Sequence, residues 1–351
     1  MDANGEEGLR IVSRRRSITL KGKAFEAFED RVIPLLTGLH TVEEICDQVS
    51  DIYRADDVIA ALGMLSSQGF LVDGEQALAA GNTPGMAPQR GWLAENTPGG
   101  SAAQGKLSAA RIVLFGAGLH GAVAGRALVA AGIGQLTIVD PVDVSAPDLY
   151  FSHIFNAGDI GKNRASALAS ALAQATSTTR IEAVPTRPDD ASAMADVING
   201  ASLVIGCLDA GELNLSFKLD AACRQTGTPW VSASLEGTEL VVGPGFFNPK
   251  GPCLMCWRMR EVATSENPAS QMGLERQYEQ WQRDLSMRRE NLAPAADIAG
   301  GILAAEVITL LSGTCTPNLD GRFLTITIPG FRVEKHIVLR KPDCPVCGPS
   351  G

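Results

Sequence analysis

A chain of 351 residues, 45% hydrophobic and 20% charged, has room for a sizeable core and for two domains. Its formal charge of −9 argues against a general nucleic-acid binder, whose affinity rests on neutralising phosphates. Residues 1–10 lack an apolar signal core and no apolar run reads as membrane-spanning, so a cytoplasmic protein without membrane attachment is expected.

Residues 1–75 read as a small domain. Segments 9–13 and 17–20 have the look of a hairpin, bridged by Arg14, Arg15 and Arg16. Phe25, Phe28, Val32, Ile33, Leu35 and Leu36 recur at helical spacing, and Thr41 with Glu44 spells a capping box. Val58, Leu62 and Leu65 stripe a third helix that Gly69 ends, and residues 70–72 read as a returning strand. Strands around three short helices predict a winged-helix-like α+β module. The arginine cluster suits DNA, but Glu43, Glu44, Asp47, Asp51, Asp56 and Asp57 sit on the helices that would face phosphates. An exposed strand edge beside a helix also accepts an extended peptide. That reading is favoured, with Ser17, Ile18, Thr19 and Leu20 as the accepting strand and the helix of Val58 and Leu62 as its packing surface. A purely structural appendage is the plain alternative. Residues 76–106, rich in Gly, Pro, Asn and Ala, read as a linker with Trp92 exposed in it.

From residue 107 to 351 strands and helices alternate. Residues 112–115 form a short apolar run of the buried parallel kind, followed by Gly116, Gly118 and Gly121 in G-x-G-x-x-G spacing. The first two glycines permit a tight turn and close approach to a pyrophosphate, and the third permits close helix packing. Asp140 ends the second strand, where a carboxylate can accept from ribose hydroxyls. The spacing alone leaves a nucleotide site and a merely structural turn both open. Helices are predicted over 162–175, 191–199 and 213–225, and strands over 180–184, 203–206 and 230–232. Short non-helical runs are expected after Gly237, then a charged, mobile or partner-facing stretch at 265–291. A long apolar helix at 295–311 and antiparallel strands at 323–328 and 336–339 complete the chain.

Of eight cysteines, Cys253 and Cys256 form one C-x-x-C pair, and Cys344 and Cys347 another. Two such pairs supply the closed all-thiolate set of structural zinc; a redox pair and four unlinked thiols are the alternatives. Cys46, Cys207, Cys223 and Cys315 read as small core residues.

In order, QGKLSAARIVLFGAGLHG, the strand ending at Asp140, GDIGKNRA, VIGCLDA, GPCLMCW, ADIAGGILAAEVITLLSG and PDCPVCG resemble the ThiF/MoeB/HesA, ubiquitin-activating-like superfamily over roughly residues 104 to 348. The resemblance implies a Rossmann-like mixed sheet that binds ATP and magnesium, a homodimer and a four-cysteine zinc knuckle. Its motif D-x-D-x-V-x-x-S-N-L-x-R-Q, laid on residues 140–152, keeps Asp140. It puts Val142 at the second carboxylate, Asp148 at the asparagine and Phe151 at the arginine that neutralises triphosphate. The phosphate-contacting lysine falls on Arg164, the magnesium-binding aspartate on Asp209, and Leu119 replaces the second glycine of the usual pair. One cation lost and one altered weaken adenylation, which depends on charge neutralisation. Residues 257–314 hold no cysteine, so transfer through a thioester is not expected.

The N-terminal module, GPGFFNPKGPCLMCW and the ending HIVLRKPDCPVCG are further similar to leader-binding partner proteins of azoline-forming cyclodehydratases, which mature ribosomal peptides (RiPPs). That implies a ribosomal precursor peptide and an ATP-consuming YcaO-type protein as partners. The alternative is a stand-alone ATP-dependent adenylating enzyme that activates a carboxylate or amide of the bound peptide through Asp209 and Arg164. A winged-helix regulator and a dehydrogenase are the remaining, weaker readings.

Overall fold

The computed structural model describes residues 8–12, 17–21, 26–68, 70–71, 86–97, 102–151, 154–175, 178–188, 190–208, 213–281 and 292–348. The chain divides into two compact units, residues 1–102 and 103–351.

The first unit opens with an antiparallel hairpin, β1 (Gly8–Val12) and β2 (Ser17–Lys21), in which Arg10 lies opposite Thr19. Helix α1 (Glu26–Arg31) gives way at Pro34 to a single 3-10 turn, because proline lacks the N–H that would continue the helix. Thr41 caps α2 (Val42–Gln48) in a full capping box: its hydroxyl accepts from Glu44 N while the Glu44 carboxylate accepts from Thr41 N. Helix α3 (Ala55–Ser67) then buries Val58, Leu62 and Leu65 against Phe28, Val32, Ile45 and Val49. The returning strand is not found: Phe70 and Leu71 are irregular, and Val72, like Arg14 to Arg16, lies outside the described residues. The stretch read as a linker contains two helices, α4 (Ala87–Asn96), on which Trp92 is exposed, and α5 (Ala102–Ala109).

The second unit is built on an eight-stranded sheet in the order β10-β9-β8-β7-β6-β3-β4-β5. Five strands are parallel: β3 (Arg111–Phe115), β4 (Gln135–Val139), β5 (Arg180–Val184), β6 (Leu203–Gly206) and β7 (Trp230–Glu236). Both faces of β3 are covered, so Ile112, Val113, Leu114 and Phe115 are all buried and carry no polar alternation. The remaining strands, β8 (Glu239–Phe246), β9 (Arg322–Thr327) and β10 (Arg332–Ile337), are antiparallel. Helices α6 (Leu119–Ala130), α8 (Arg164–Ala175) and α13 (Ala293–Ser312) supply residues to the cluster with Ile112, Leu136 and Ile205. Helices α9 (Ala191–Ile198), α10 (Leu213–Thr226) and α11 (Leu254–Thr264) contribute to the opposite one with Val113, Val204 and Trp230.

Three expectations change here. Residues after Gly237 are not short irregular runs: they form β8 and, after Cys253, helix α11. Part of the charged stretch is helix α12 (Pro268–Trp281), which Arg258 of α11 ties down through Glu275, while 282–291 lie outside the described residues. Helix α13 is long and apolar enough, by length and composition, to cross a membrane; half of that stretch is buried. Leu303 and Val307 are buried in the sheet's core cluster, and Gly300 crosses α6 so closely that a β-carbon there would lie 2.6 Å from the His120 carbonyl oxygen.

Candidate nucleotide-fold site and cysteine cluster

The chain order around β3 places the glycine turn where the sheet reverses direction, between β4 on one side and β6 on the other. In open α/β sheets this crevice, beyond the carboxyl ends of the strands, is where ligands sit. Gly116 has φ +93°, and a β-carbon there would sit 1.9 Å from the Cys207 carbonyl oxygen. At Gly121 a β-carbon would meet the Gly116 carbonyl oxygen at 2.0 Å. Neither position tolerates another residue without moving backbone. Gly118 is the N-cap of α6 and offers no capping side chain, so the helix begins with its amides available to an anion.

Asp140 is buried at the end of β4 and binds the protein's own backbone. One carboxylate oxygen accepts from Ala117 N at 2.7 Å, the other from Val142 N at 2.8 Å. It thereby pins the glycine turn to the following loop. Asn163 reinforces that loop, its Nδ2 donating to the Asp140 carbonyl oxygen.

Arg164, the first residue of α8, is 1% exposed and does not face open solvent. Its guanidinium is forked onto Asp148, the first residue of the short helix α7 (Asp148–Phe151), with Nη2 2.9 Å from one oxygen and Nε 3.3 Å from the other. The same carboxylate accepts from Ser145 N and Ser145 Oγ. The loop meets the start of α8 because Arg164 N donates to the Val142 carbonyl and Val144 N to that of Lys162. Asp148 and Arg164 occupy two motif positions, asparagine and lysine, that were read separately. The structure makes them one change, a buried ion pair. The signal was a carboxylate and a guanidinium replacing neutral and smaller groups together. The side chain of Phe151, and Asp209 entirely, lie outside the described residues.

The four cysteines of the two C-x-x-C pairs come together. All four Sγ atoms lie within 4.8 Å of one another and all four residues are buried. The Cys253–Cys344 and Cys256–Cys347 sulfur separations are 3.6 and 3.4 Å, close to the edge of a tetrahedron with ~2.3 Å zinc–sulfur bonds. Lys341 N donates to Cys256 Sγ, the kind of backbone support that metal thiolates receive. Burial pushes the Cys253 and Cys347 thiols up. Burial also opposes ionisation of Cys344, but hydrogen bonds from the amides of Cys347 and Val346 and from the Cys253 and Cys256 side chains together bring that thiol down to about 7. The donor set, its burial and its spacing fit a structural zinc ion. Of the other cysteines, Cys46, Cys207 and Cys223 are buried as expected, whereas Cys315 is exposed in the turn after α13.

On the first unit, Ser17 and Thr19 face outward from β2, while Ile18 is half-buried and Leu20 is buried. Val58 and Leu62 belong to the core rather than to an open packing surface: their i, i+4 stripe is the one α3 needs to hold the unit together. The exposed apolar residue of that helix is Ile59.

Residues 94–346 match the model of the ThiF family. The chain belongs to the ThiF family. Among its curated relatives, the molybdopterin-synthase adenylyltransferase of Salmonella typhimurium is 26% identical over 70% of this chain and 90% of that protein. The SAMP-activating enzyme E1 of Haloferax volcanii is 28% identical over 72% of this chain and 85% of its own. In fold, this ThiF-family chain is similar to Escherichia coli MccB solved with ATP, with a TM-score of 0.67 at 18% identity over 97% of this chain and 98% of that one. PaaA superposes comparably, with a TM-score of 0.68 at 15% identity over 95% of this chain and 99% of that one.

Proposed function

We propose that this ThiF-family protein binds a ribosomal precursor peptide on its N-terminal unit and presents it to a YcaO-type partner that performs ATP-dependent azoline formation. The observation that carries this reading is the buried Asp148–Arg164 pair. By the motif resemblance, the one cation kept from the family's phosphate-binding set is Arg164, neutralised inside the protein, and the motif's arginine position holds Phe151. A triphosphate entering the crevice would have to compete with Asp148 for Arg164, and a desolvated bidentate pair is costly to break. The glycine turn, Asp140 and the cysteine cluster then serve as scaffold, with a structural zinc held by Cys253, Cys256, Cys344 and Cys347. The peptide half of the reading is supported by the fold likeness to MccB, which was solved with MccA, across both units of this chain. An extended peptide would add to β2 by main-chain pairing, with micromolar affinity at most because its ordering costs entropy. The test is calorimetry with the precursor encoded beside this chain. Binding is expected, and is expected to vanish when residues 1–75 are deleted; binding that survives the deletion defeats the proposal.

A second reading, stand-alone adenylation of the bound peptide, is favoured by the names of the curated relatives and by the MccB complex with ATP. It assigns Asp209 to magnesium, Asp140 to the ribose, and Arg164, once released by Asp148, to phosphate. Pyrophosphate release that requires Asp209 would separate the two.

A further inference from the structure

The second cysteine pair lies on residues 338–348, a stretch after β10 with no helix or strand of its own. The first pair stands at the start of α11, 91 residues earlier in the chain. Closing so long a loop costs entropy, and a stretch without regular structure has no ladder of its own to hold its cysteines in place. Some of the fixing is main-chain: Val338 is buried and its amide donates to the Gly321 carbonyl oxygen at 2.8 Å. The rest falls to two guanidiniums. Arg224, near the end of α10, donates from Nη2 to the Val346 carbonyl oxygen at 2.9 Å. Arg340 donates from Nη2 to the carbonyl oxygen of Cys347 and from Nη1 to that of Lys250 at 3.4 Å. One side chain thus grips the last cysteine of the second pair and a residue three positions before the first.

The two arginines also bring charge to the right place. A zinc ion with four thiolates is a dianion, and positive groups just outside the sulfurs offset it. Both guanidiniums bind carbonyl oxygens, neutral acceptors that leave their charge uncancelled, whereas the Lys341 ammonium is paired with Asp343 at 3.2 Å. Arg224 shares its field with the carboxyl of Asp220, so the larger share falls to Arg340. We propose that Arg340, assisted by Arg224, is the positioning residue of the cysteine cluster: it holds the second pair within reach of the first and offsets the charge of the zinc tetrathiolate. This rests on the zinc reading of the four cysteines. Removing outer partners of metal ligands typically costs about 10–100-fold in affinity. Arg224 and Arg340 are exposed, so water screens part of their effect and the lower end of that range applies.

The test is competition for zinc between the full chain and a chromogenic chelator, with metal content read by atomic absorption. Wild type is expected to hold about one zinc per chain. Arg340→Ala should lower its affinity about tenfold, Arg224→Ala should lower it less, and the double variant should lower it more than either. Arg340→Lys keeps the charge and loses the planar fork, so it should fall between wild type and Arg340→Ala, with its lead over alanine shrinking as salt is raised. Both positions are exposed, so circular dichroism should show the variants folded. Wild-type affinity in Arg340→Ala and in the double variant, or a lysine variant no better than alanine at low salt, would overturn the proposal while leaving the zinc reading in place. A wild-type chain that takes up no zinc would overturn that reading and the proposal with it.

Discussion

Replacing Asp148 by alanine takes the bidentate carboxylate away from a guanidinium that is 1% exposed. Arg164 loses its bidentate partner, and Ser145 loses the acceptor for both its amide and its hydroxyl. Removing one member of a buried pair typically costs ~3–5 kcal/mol, since the remaining charge is left without compensation. That is a factor of roughly a hundred to several thousand in the folding equilibrium. Replacing both members, as Asp148→Leu with Arg164→Met, should cost much less, because packed apolar groups of similar volume substitute for a buried ion pair without the unpaired charge. Urea unfolding of the second unit, followed by far-UV dichroism, gives both values. The reasoning predicts a strongly unstable single variant and a double variant far nearer wild type. A single variant within ~1 kcal/mol of wild type, the size of an exposed pair, would show that the pair is solvated and that Arg164 is available to a nucleotide after all.

Other consequences are as direct. Gly121→Ala should fail to accumulate as folded protein, since its β-carbon would sit 2.0 Å from a backbone oxygen; solubility and melting temperature report it. Chelation with a high-affinity zinc ligand, or Cys256→Ser, should lower the melting temperature of the second unit and release about one zinc per chain by atomic absorption. Asp220 is buried, and burial raises its carboxyl above the usual range despite the hydrogen bond from Trp230 Nε1. A raised folded value contributes stability that is present below the unfolded pKa and is lost as pH rises through the folded one. Asp220→Asn should therefore gain on wild type as pH climbs from the ordinary aspartate range toward neutrality, in thermal melts taken at each pH. Glu306→Gln should destabilise by ~1–3 kcal/mol in urea unfolding, because its carboxylate receives Asn318 N, Leu319 N and Asn318 Nδ2 in a buried site.

The parallel core was legible because its signals are local. Buried runs such as 112–115 and 203–206 carry no polar alternation, and the glycine spacing reflects collisions that the backbone imposes at Gly116 and Gly121. The cysteine cluster was legible for a similar reason, since two short spacings each deliver two sulfurs. What escaped depended on distant neighbours. Helix α11 begins within the first C-x-x-C pair and reads as loop until Asp220 and the second pair are placed beside it. Val58 and Leu62 show apolar spacing whether a helix faces a core or a ligand, and only packing against Phe28 and Ile45 decides for the core. Arg164 looked available because its partner stands sixteen residues earlier in a different helix.

The most direct measurement is pyrophosphate exchange by the purified chain with magnesium-ATP and its precursor peptide, without any partner protein. With Arg164 held by Asp148, the account predicts exchange no greater than a peptide-free control, while peptide binding persists. Peptide-dependent exchange through many turnovers would contradict it and make this chain the activating enzyme itself.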